Sequence, residues 1–328
     1  MPESARVTSE NRLLGMLQSG FPLSREPYQD IGIKLGIPGD EVLRGIIDLK
    51  KKGIVRQISP VLDARRLGFQ STLVAMKVDG PNIENAESYL GAHPGISHGY
   101  EREHEFNIWV TLSVPPGTDL QAEVSGISAR CRAVDVIALP ATRVFKLRTD
   151  FSRTEDLSAE EYVSNCHGLP GRARLGQADR EIINGLQHDL ALSNDPFAPL
   201  AHNLGMDVDN MLARSRSLLR RGVIRRYGAS INHRNAGYRA NAMTCWDAPA
   251  GKVVKLGRLL ASKRQVSHCY ERATMAPWHY NLFAMLHSRD RTSCLQAIEK
   301  MAAETGLRDY IVLFSVKEFK KIRVIYSV

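Results

Sequence analysis

Apolar and polar positions alternate with two distinct periods along this chain. Residues 105–113 set Phe106, Ile108, Val110 and Leu112 against Asn107, Trp109, Thr111 and Ser113, a period of two that predicts a strand. Val42, Leu43, Ile46, Ile47 and Leu49 follow helical spacing and stop at Gly53. Val208, Met211, Leu212, Leu218 and Leu219 do the same and stop at Gly222. Shorter apolar segments, Leu13–Leu17 and Ile182–Leu186, precede them.

The two glycines mark an internal repeat. A shift of 169 residues pairs Gly53 with Gly222, Pro27 with Pro196, Gly36 with Gly205, Arg56 with Arg225 and Arg65 with Arg234. Ser97-His98-Gly99-Tyr100-Glu101-Arg102 then matches Ser267-His268-Cys269-Tyr270-Glu271-Arg272, and after a short insertion Phe106-Asn107 matches Tyr280-Asn281. Each copy opens with three short helices. The last two are joined by a tight glycine turn, Leu35-Gly36-Ile37 or Leu204-Gly205-Met206, which predicts a helix-turn-helix followed by a wing strand.

Each copy continues as strand, helix, strand, strand, helix, strand. The segments are 70–78, 82–92, 96–102, 105–113, 118–131 and 134–147 in the first, and 239–247, 250–262, 265–272, 279–287, 290–305 and 308–319 in the second. That order is the ferredoxin-like βαββαβ pattern. The expected architecture is therefore α+β, a tandem repeat of winged helix-turn-helix plus ferredoxin-like domain folded as an intramolecular pseudo-dimer. The boundaries are 1–62 and 63–150 for the first copy, 151–177 for a Ser/Gly/Arg-rich linker, and 178–231 and 232–328 for the second. One sheet face of each copy is expected to carry helices, and the sister copy to cover the other.

Composition narrows the function. The 328 residues are 43% apolar and 24% charged, which excludes a disordered or fibrous chain. No apolar run is long enough to span a bilayer, and five scattered cysteines show no zinc-ligand spacing, so a reduced cytoplasmic protein is expected. Glycine-rich nucleotide fingerprints are absent. The net charge of +9 is lopsided: residues 1–150 hold 18 basic and 18 acidic side chains, and the remaining 26 and 17 lie beyond. A basic half implies an acidic partner.

A helix-turn-helix joined to a ferredoxin-like domain resembles the leucine-responsive regulatory (Lrp/AsnC) transcription factors, which would make that partner DNA. The second helix of each motif argues otherwise. It starts with Asp40 and Glu41 in one copy and Asp207 and Asp209 in the other, where a reading helix meets phosphates. Carboxylates there repel DNA and suit the helix dipole instead. No nucleic-acid or membrane partner is expected.

The unusual chemistry gathers in the second copy. Strand alternation sets His268, Tyr270 and Arg272 on one face, Asn281, Phe283, Met285 and His287 together, and Arg239, Asn241 and Met243 together. Such a face suits a large, flat, carboxylated ligand: arginine binds carboxylates bidentately, methionine and aromatics cover an apolar plane, and histidine ligates iron or delivers a proton.

At Ile224-Arg225-Arg226-Tyr227-Gly228-Ala229, His233-Arg234, Asn241-Ala242-Met243, Ser267–Arg272, Trp278 and Tyr280-Asn281 the sequence resembles the siroheme decarboxylases, an enzymatic branch of the Lrp/AsnC-like proteins. The first copy adds Ile58–Asp63, Leu67–Val78, Tyr100-Glu101-Arg102 and Phe106–Trp109, so the resemblance runs over nearly the whole chain. It implies a carboxy-lyase that removes two acetate carboxyls from siroheme to give didecarboxysiroheme, on a route to haem or haem d1. It implies no cofactor beyond the iron-containing substrate. Family members pair two related subunits; here the two look fused, and room remains for a further homodimer.

The resemblance also implies roles. Arg225, Arg226, Arg234 and Arg272 are expected to bind rim carboxylates, with Asn241, Met243, Trp278, Tyr280, Asn281, His98 and Arg102 also contacting substrate. His233 or His268 is expected to donate the proton, assisted by Tyr227 or Tyr270, while His268, His279 and His287 are candidate ligands of the substrate iron. The first copy keeps His98, Tyr100, Arg102 and Asn107 but has Asp63-Ala64-Arg65 for Asn232-His233-Arg234 and lacks the Trp278 insertion. It is expected to act as scaffold and one cavity wall.

Overall fold

A computed structural model describes residues 3–147, 164–165, 171–231 and 240–328. The first copy runs α1 (Glu3–Ser19), α2 (Pro27–Leu35), α3 (Gly39–Lys51), β1 (Val55–Leu62), β2 (Gln70–Lys77), α4 (Ile83–Ala92), β3 (Ile96–Arg102), β4 (Ile108–Val114), α5 (Leu120–Arg130), β5 (Asp135–Leu139) and β6 (Ala141–Leu147). A two-residue strand, β7 (Ser164–Asn165), follows. The second copy runs α6 (Gln177–Leu186), α7 (Ala198–Asn203), α8 (Val208–Arg220), β8 (Ile224–Ile231), β9 (Ala240–Trp246), α9 (Val253–Ala261), β10 (Val266–Arg272), β11 (Leu282–Ser288), α10 (Arg291–Thr305) and β12 (Tyr310–Lys321). Most of the expected linker 151–177 lies outside the described residues.

Gly36 and Gly205 take φ of +73° and +62° at the turns that join the paired helices, a region open to glycine at little cost. The two helix-turn-helix units are too small to bury separate cores, and they pool one. Leu17, Ile31, Ile46 and Leu49 of the first pack with Ile183, Met211, Leu212 and Leu218 of the second. The wings pair with each other: β1 and β8 form an antiparallel two-stranded ribbon with Ser59 opposite Gly228. Their edge backbone groups are thereby spent on the partner copy.

The other strands form one ten-stranded sheet in the order β5-β2-β4-β3-β12-β9-β11-β10-β6-β7. Strands β5 and β6, far apart in that order, are separated in sequence only by Pro140, so the sheet curls until these parts meet. The sequence pattern predicts a single strand over 134–147. Pro140 divides it, because proline offers no N–H to continue the ladder with β2. Beyond the break β6 leaves its own copy and pairs with β10. Strand β12 mirrors this without a break: Tyr310–Phe314 pair with β9 of their own copy, and Ser315–Lys321 pair with β3 of the other. Each copy thus lends the other a strand.

Helices cover the outside of the curl. Val74, Ile108, Val110 and Leu112 pack under α4 and α5, and Ala242, Trp246, Leu282 and Leu286 under α9 and α10. The inside is covered by the sister copy, as expected: Leu73, Ala75, Trp109 and Leu139 meet Met243, Cys245, Phe283 and Leu313. Trp109 therefore occupies a position that the alternation grouped with polar residues. That face is an interior rather than a solvent surface. Two mirrored contacts lock the halves: Arg102 donates to the Leu313 carbonyl at 2.8 Å and Arg272 to the Leu139 carbonyl at 2.7 Å. Among the described residues no helix is long and apolar enough to cross a membrane.

Candidate active site

Alternation along β9, β10 and β11 brings Asn241 and Met243, His268, Tyr270 and Arg272, and Phe283, Met285 and His287 to the inside of the curl. Register fixes their neighbours, with Met285 opposite both Met243 and His268, and His287 opposite Asn241. One end of this interior is the apolar and aromatic core just described. The other end, facing the β1–β8 ribbon, is polar.

Histidines define the polar end. The Ser267 hydroxyl lies 2.9 Å from His268 Nδ1 and 3.0 Å from His287 Nε2, bridging a residue on β10 and one on β11. His268 lies parallel to Tyr270, ring centroids 6.3 Å apart. With Nδ1 on Ser267, Nε2 is the ring nitrogen left for a ligand. From the first copy, His98 makes the matching contact to Ser97 Oγ at 2.9 Å. Burial, followed by nearby positive charge, pushes His98 down to about 4 and His268 and His287 to about 3, so all three rings are neutral near pH 7. His98 and His268 nonetheless keep accessible surface, as residues lining a recess do.

Cations surround these neutral rings. Lys321 lies opposite His98 in the β12–β3 ladder and depresses all three histidines, while Arg226 of the ribbon and Lys146 of β6 act on His268. Arg226 also donates to the Gln18 carbonyl. Arg56 reaches from the ribbon to Glu318 at 3.0 Å and to the Lys321 carbonyl at 3.0 Å. Burial alone would raise the Glu318 carboxyl; Lys321, Arg56 and a Tyr100 hydrogen bond outweigh it and hold it below the usual value. Arg323, just past β12, ties down both wings through Ser59, the Pro60 carbonyl at 3.1 Å and the Gly228 carbonyl at 3.2 Å. The result is a layer rich in positive charge between the histidines and the ribbon.

Comparison with known proteins decides the family. The AsnC-like ligand binding domain model matches residues 66–146 and 235–320, and the siroheme decarboxylase NirDL-like HTH domain model matches 10–56 and 179–225. The siroheme decarboxylase of Hydrogenobacter thermophilus is 36% identical over 317 residues, covering 96% of this chain and 94% of that protein. The chain belongs to the siroheme decarboxylase family. A crystal structure of the siroheme decarboxylase NirDL in complex with an iron-uroporphyrin III analogue superposes with a TM-score of 0.74 at 33% identity, covering 98% of this chain and 95% of that one. The siroheme decarboxylase alpha subunit of Desulfovibrio desulfuricans is 40% identical over 147 residues, which is 45% of this chain and 84% of that subunit. Just under half of this chain thus corresponds to most of a subunit in that relative.

Within this siroheme decarboxylase fold several expected site residues stand away from the histidines. Tyr227 is buried in the helix-turn-helix core beside Phe21 and Phe197, and burial raises its hydroxyl far above the usual value. Arg225 gives Nε and Nη2 to Asp63 at 3.1 and 2.8 Å. Trp278 fills the interior core between Trp109 and Phe283, and Tyr280 packs on its edge. The Asn281 amide is held on both sides by the Ala248 backbone at 3.0 and 2.7 Å, as Asn107 is by Val78. Strand β11 starts at Leu282, leaving His279 on an exposed turn 3.1 Å from Asp309, at the end of β11 remote from His287. The carbonyl contacts of Arg102 and Arg272 make them clamps between halves; each guanidinium also covers the tyrosine two positions before it, 5.0 Å from Tyr100 and 4.8 Å from Tyr270. His233, Arg234 and Arg239 lie outside the described residues.

Other residues enter this layer that sequence reasoning did not assign. Ser267 sits inside the motif containing His268, but only the sheet reveals His287 across from it. Arg56 was visible as the repeat mate of Arg225. Lys321 and Arg323 fall after the last predicted strand, which ended at 319, so no periodicity marked them.

Proposed function

We propose that this chain decarboxylates siroheme at the recess between the β1–β8 ribbon and the histidine end of the curled sheet. The observation that carries the reading is the enclosed set of neutral His268 and His287 among Lys321, Lys146 and Arg226, in a chain of this family. Cations suit the many carboxylates of siroheme, and burial removes the water that would screen them. The interior methionines offer an apolar surface to the macrocycle.

Each turn of the reaction breaks the bond between an acetate methylene and its carboxylate. Carbon dioxide leaves, the electron pair passes into the conjugated ring, and one proton converts the methylene to methyl. The macrocycle serves as electron sink, so the chain's share is to orient the acetate, exclude water and supply the proton. His268, through Nε2, is the proposed donor, with Tyr270 alongside; Arg226 and Lys321 hold rim carboxylates. His233 and Arg234 remain proposed contributors from the segment following the ribbon. The first copy supplies the opposite wall through His98, where Arg56, Glu318 and Lys321 occupy the space beside Tyr100. No further cofactor is required in this scheme, and it operates in the cytoplasm.

The test is anaerobic incubation of pure protein with siroheme, followed by mass spectrometry of the tetrapyrrole. Products lighter by one and then two carbon dioxide units are expected. Siroheme that returns unchanged, with only a shift in its visible bands, would replace the reading with a sensor.

A further inference from the structure

The second copy holds a chain of three hydrogen-bonding side chains that the first copy lacks. His268 Nδ1, Ser267 Oγ and His287 Nε2 stand in line at 2.9 and 3.0 Å, and Ser267 and His287 are both buried. In the first copy Ser97 and His98 repeat the first link at 2.9 Å, but the position equivalent to His287 is Ser113, whose hydroxyl turns to Ser71 at 3.2 Å. Among the described residues, the link from serine to a second ring stands beside His268.

We propose that Ser267 is a positioning residue that relays a proton from His287 to His268 during siroheme decarboxylation. The proposal rests on the reading of His268 as donor and adds how that donor stays neutral as it gives up its proton. A neutral imidazole that gives up its only proton would become an anion, which an enclosed site does not tolerate. It must gain a proton at one nitrogen as it loses one at the other. The geometry supplies that exchange. His268 releases the proton on Nε2 to the substrate methylene carbon and accepts the Ser267 hydroxyl proton at Nδ1. Ser267 takes the proton from His287 Nε2, and His287 takes one from the medium at Nδ1. Carboxylate plus one proton gives methyl plus carbon dioxide, and every relay group ends neutral.

The resting tautomers follow from the same bonds. Ser267 has a single hydroxyl proton and three acceptors in reach, His268 Nδ1 at 2.9 Å, His287 Nε2 at 3.0 Å and the Met285 carbonyl at 3.3 Å. The relay places that proton on the shortest of these contacts, so Nδ1 of His268 accepts and Nε2 carries the proton, as a donor requires. His287 Nε2 then donates to Ser267.

Two variants test the relay in the full chain. Ser267→Ala removes the middle link, and kcat for siroheme is expected to fall about 10- to 100-fold with KM little changed, because only proton delivery is lost. Ser267→Thr retains the hydroxyl and should recover most of that loss. His287→Gln keeps a donor to Ser267 but cannot exchange protons between two ring nitrogens, so it should lose as much kcat as Ser267→Ala while binding siroheme normally. In mixed light and heavy water, the hydrogen-to-deuterium ratio at the new methyl should change in both slow variants. Ser267→Ala or His287→Gln turning over at wild-type kcat overturns the relay, as does a threonine variant as slow as alanine. A wild-type chain that leaves siroheme intact refutes the underlying decarboxylase reading instead.

Discussion

Arg56 on the wing ribbon and Glu318 on the curled sheet form an ion pair at 3.0 Å, the two side chains 30% and 17% exposed. It joins the layer that other architectures use for DNA to the layer that here holds the histidines. Lys321 stands 3.5 Å from the same carboxylate.

This pair makes part of the stability acid-sensitive. The Glu318 carboxyl is held below its ordinary value in the fold, so its contribution is present above about pH 4.5 and disappears as pH falls through the lowered value. Arg56→Ala should cost about 1–2 kcal/mol at neutral pH. Glu318→Gln should flatten the stability profile below pH 4.5, measured as urea midpoints across an acid series.

Neutral histidines add a second acid-sensitive window at higher pH. His98, His268 and His287 are depressed from an ordinary value of 6.5 to about 4, 3 and 3. The unfolded chain therefore takes up protons below pH 6.5 that the folded chain refuses, and stability falls as pH drops through that range. Each such ring steepens the fall by up to about 1.4 kcal/mol per pH unit. His98→Asn should remove one proton's worth of slope between pH 6 and pH 5, as read from denaturant titrations at each pH.

The two histidines on opposite ends of β11's surroundings should behave differently in turnover. His268→Ala is expected to lose about 100-fold or more in kcat while the protein still binds siroheme. His279→Ala, altered on an exposed turn against Asp309, should turn over like wild type. Steady-state kinetics with siroheme distinguishes the two.

The sequence predicts that Arg272 binds carboxylates and that Arg102 contacts substrate, and the structure gives both to main-chain carbonyls across the pseudo-dimer. Arg102 is buried, and burial lowers its guanidinium to about 10. Arg102→Leu strands the Leu313 carbonyl and should cost about 1–3 kcal/mol. A lower denaturation midpoint with an unchanged KM for siroheme checks the clamp; a raised KM with an unchanged midpoint would restore the substrate contact.

Much of this arrangement was legible in the sequence. Paired glycines fixed the repeat, and period-two patterns correctly grouped His268 with Tyr270 and Met285 with His287. Alternation states which residues share a face, but not which strand lies beside them. The exchange of β6 and the second half of β12 therefore escaped it, and so did the covering of Trp109 by Trp278. The acids at the second helix start serve the helix in the second copy, whereas α3 begins after Pro38 with no side-chain cap and Asp40 binds Arg44. Asp207 caps α8 through the Asp209 and Asn210 N–H groups, and Asp209 binds Arg25 at 2.9 Å. Lys321 and Arg323 carried no signal, because a lysine or arginine at a chain's end looks solvated until a fold turns it inward.

The strand exchange bears on which halves can meet. Free subunits that close each other's sheets can also join like with like, and such pairs would present two identical walls instead of a donor wall facing its complement. Covalent fusion makes the unlike encounter intramolecular, so dilution does not separate it and like pairs compete poorly. One copy is thereby released from carrying the proposed donor set, and its Arg56 can serve the opposite side by pairing with Glu318 of the other.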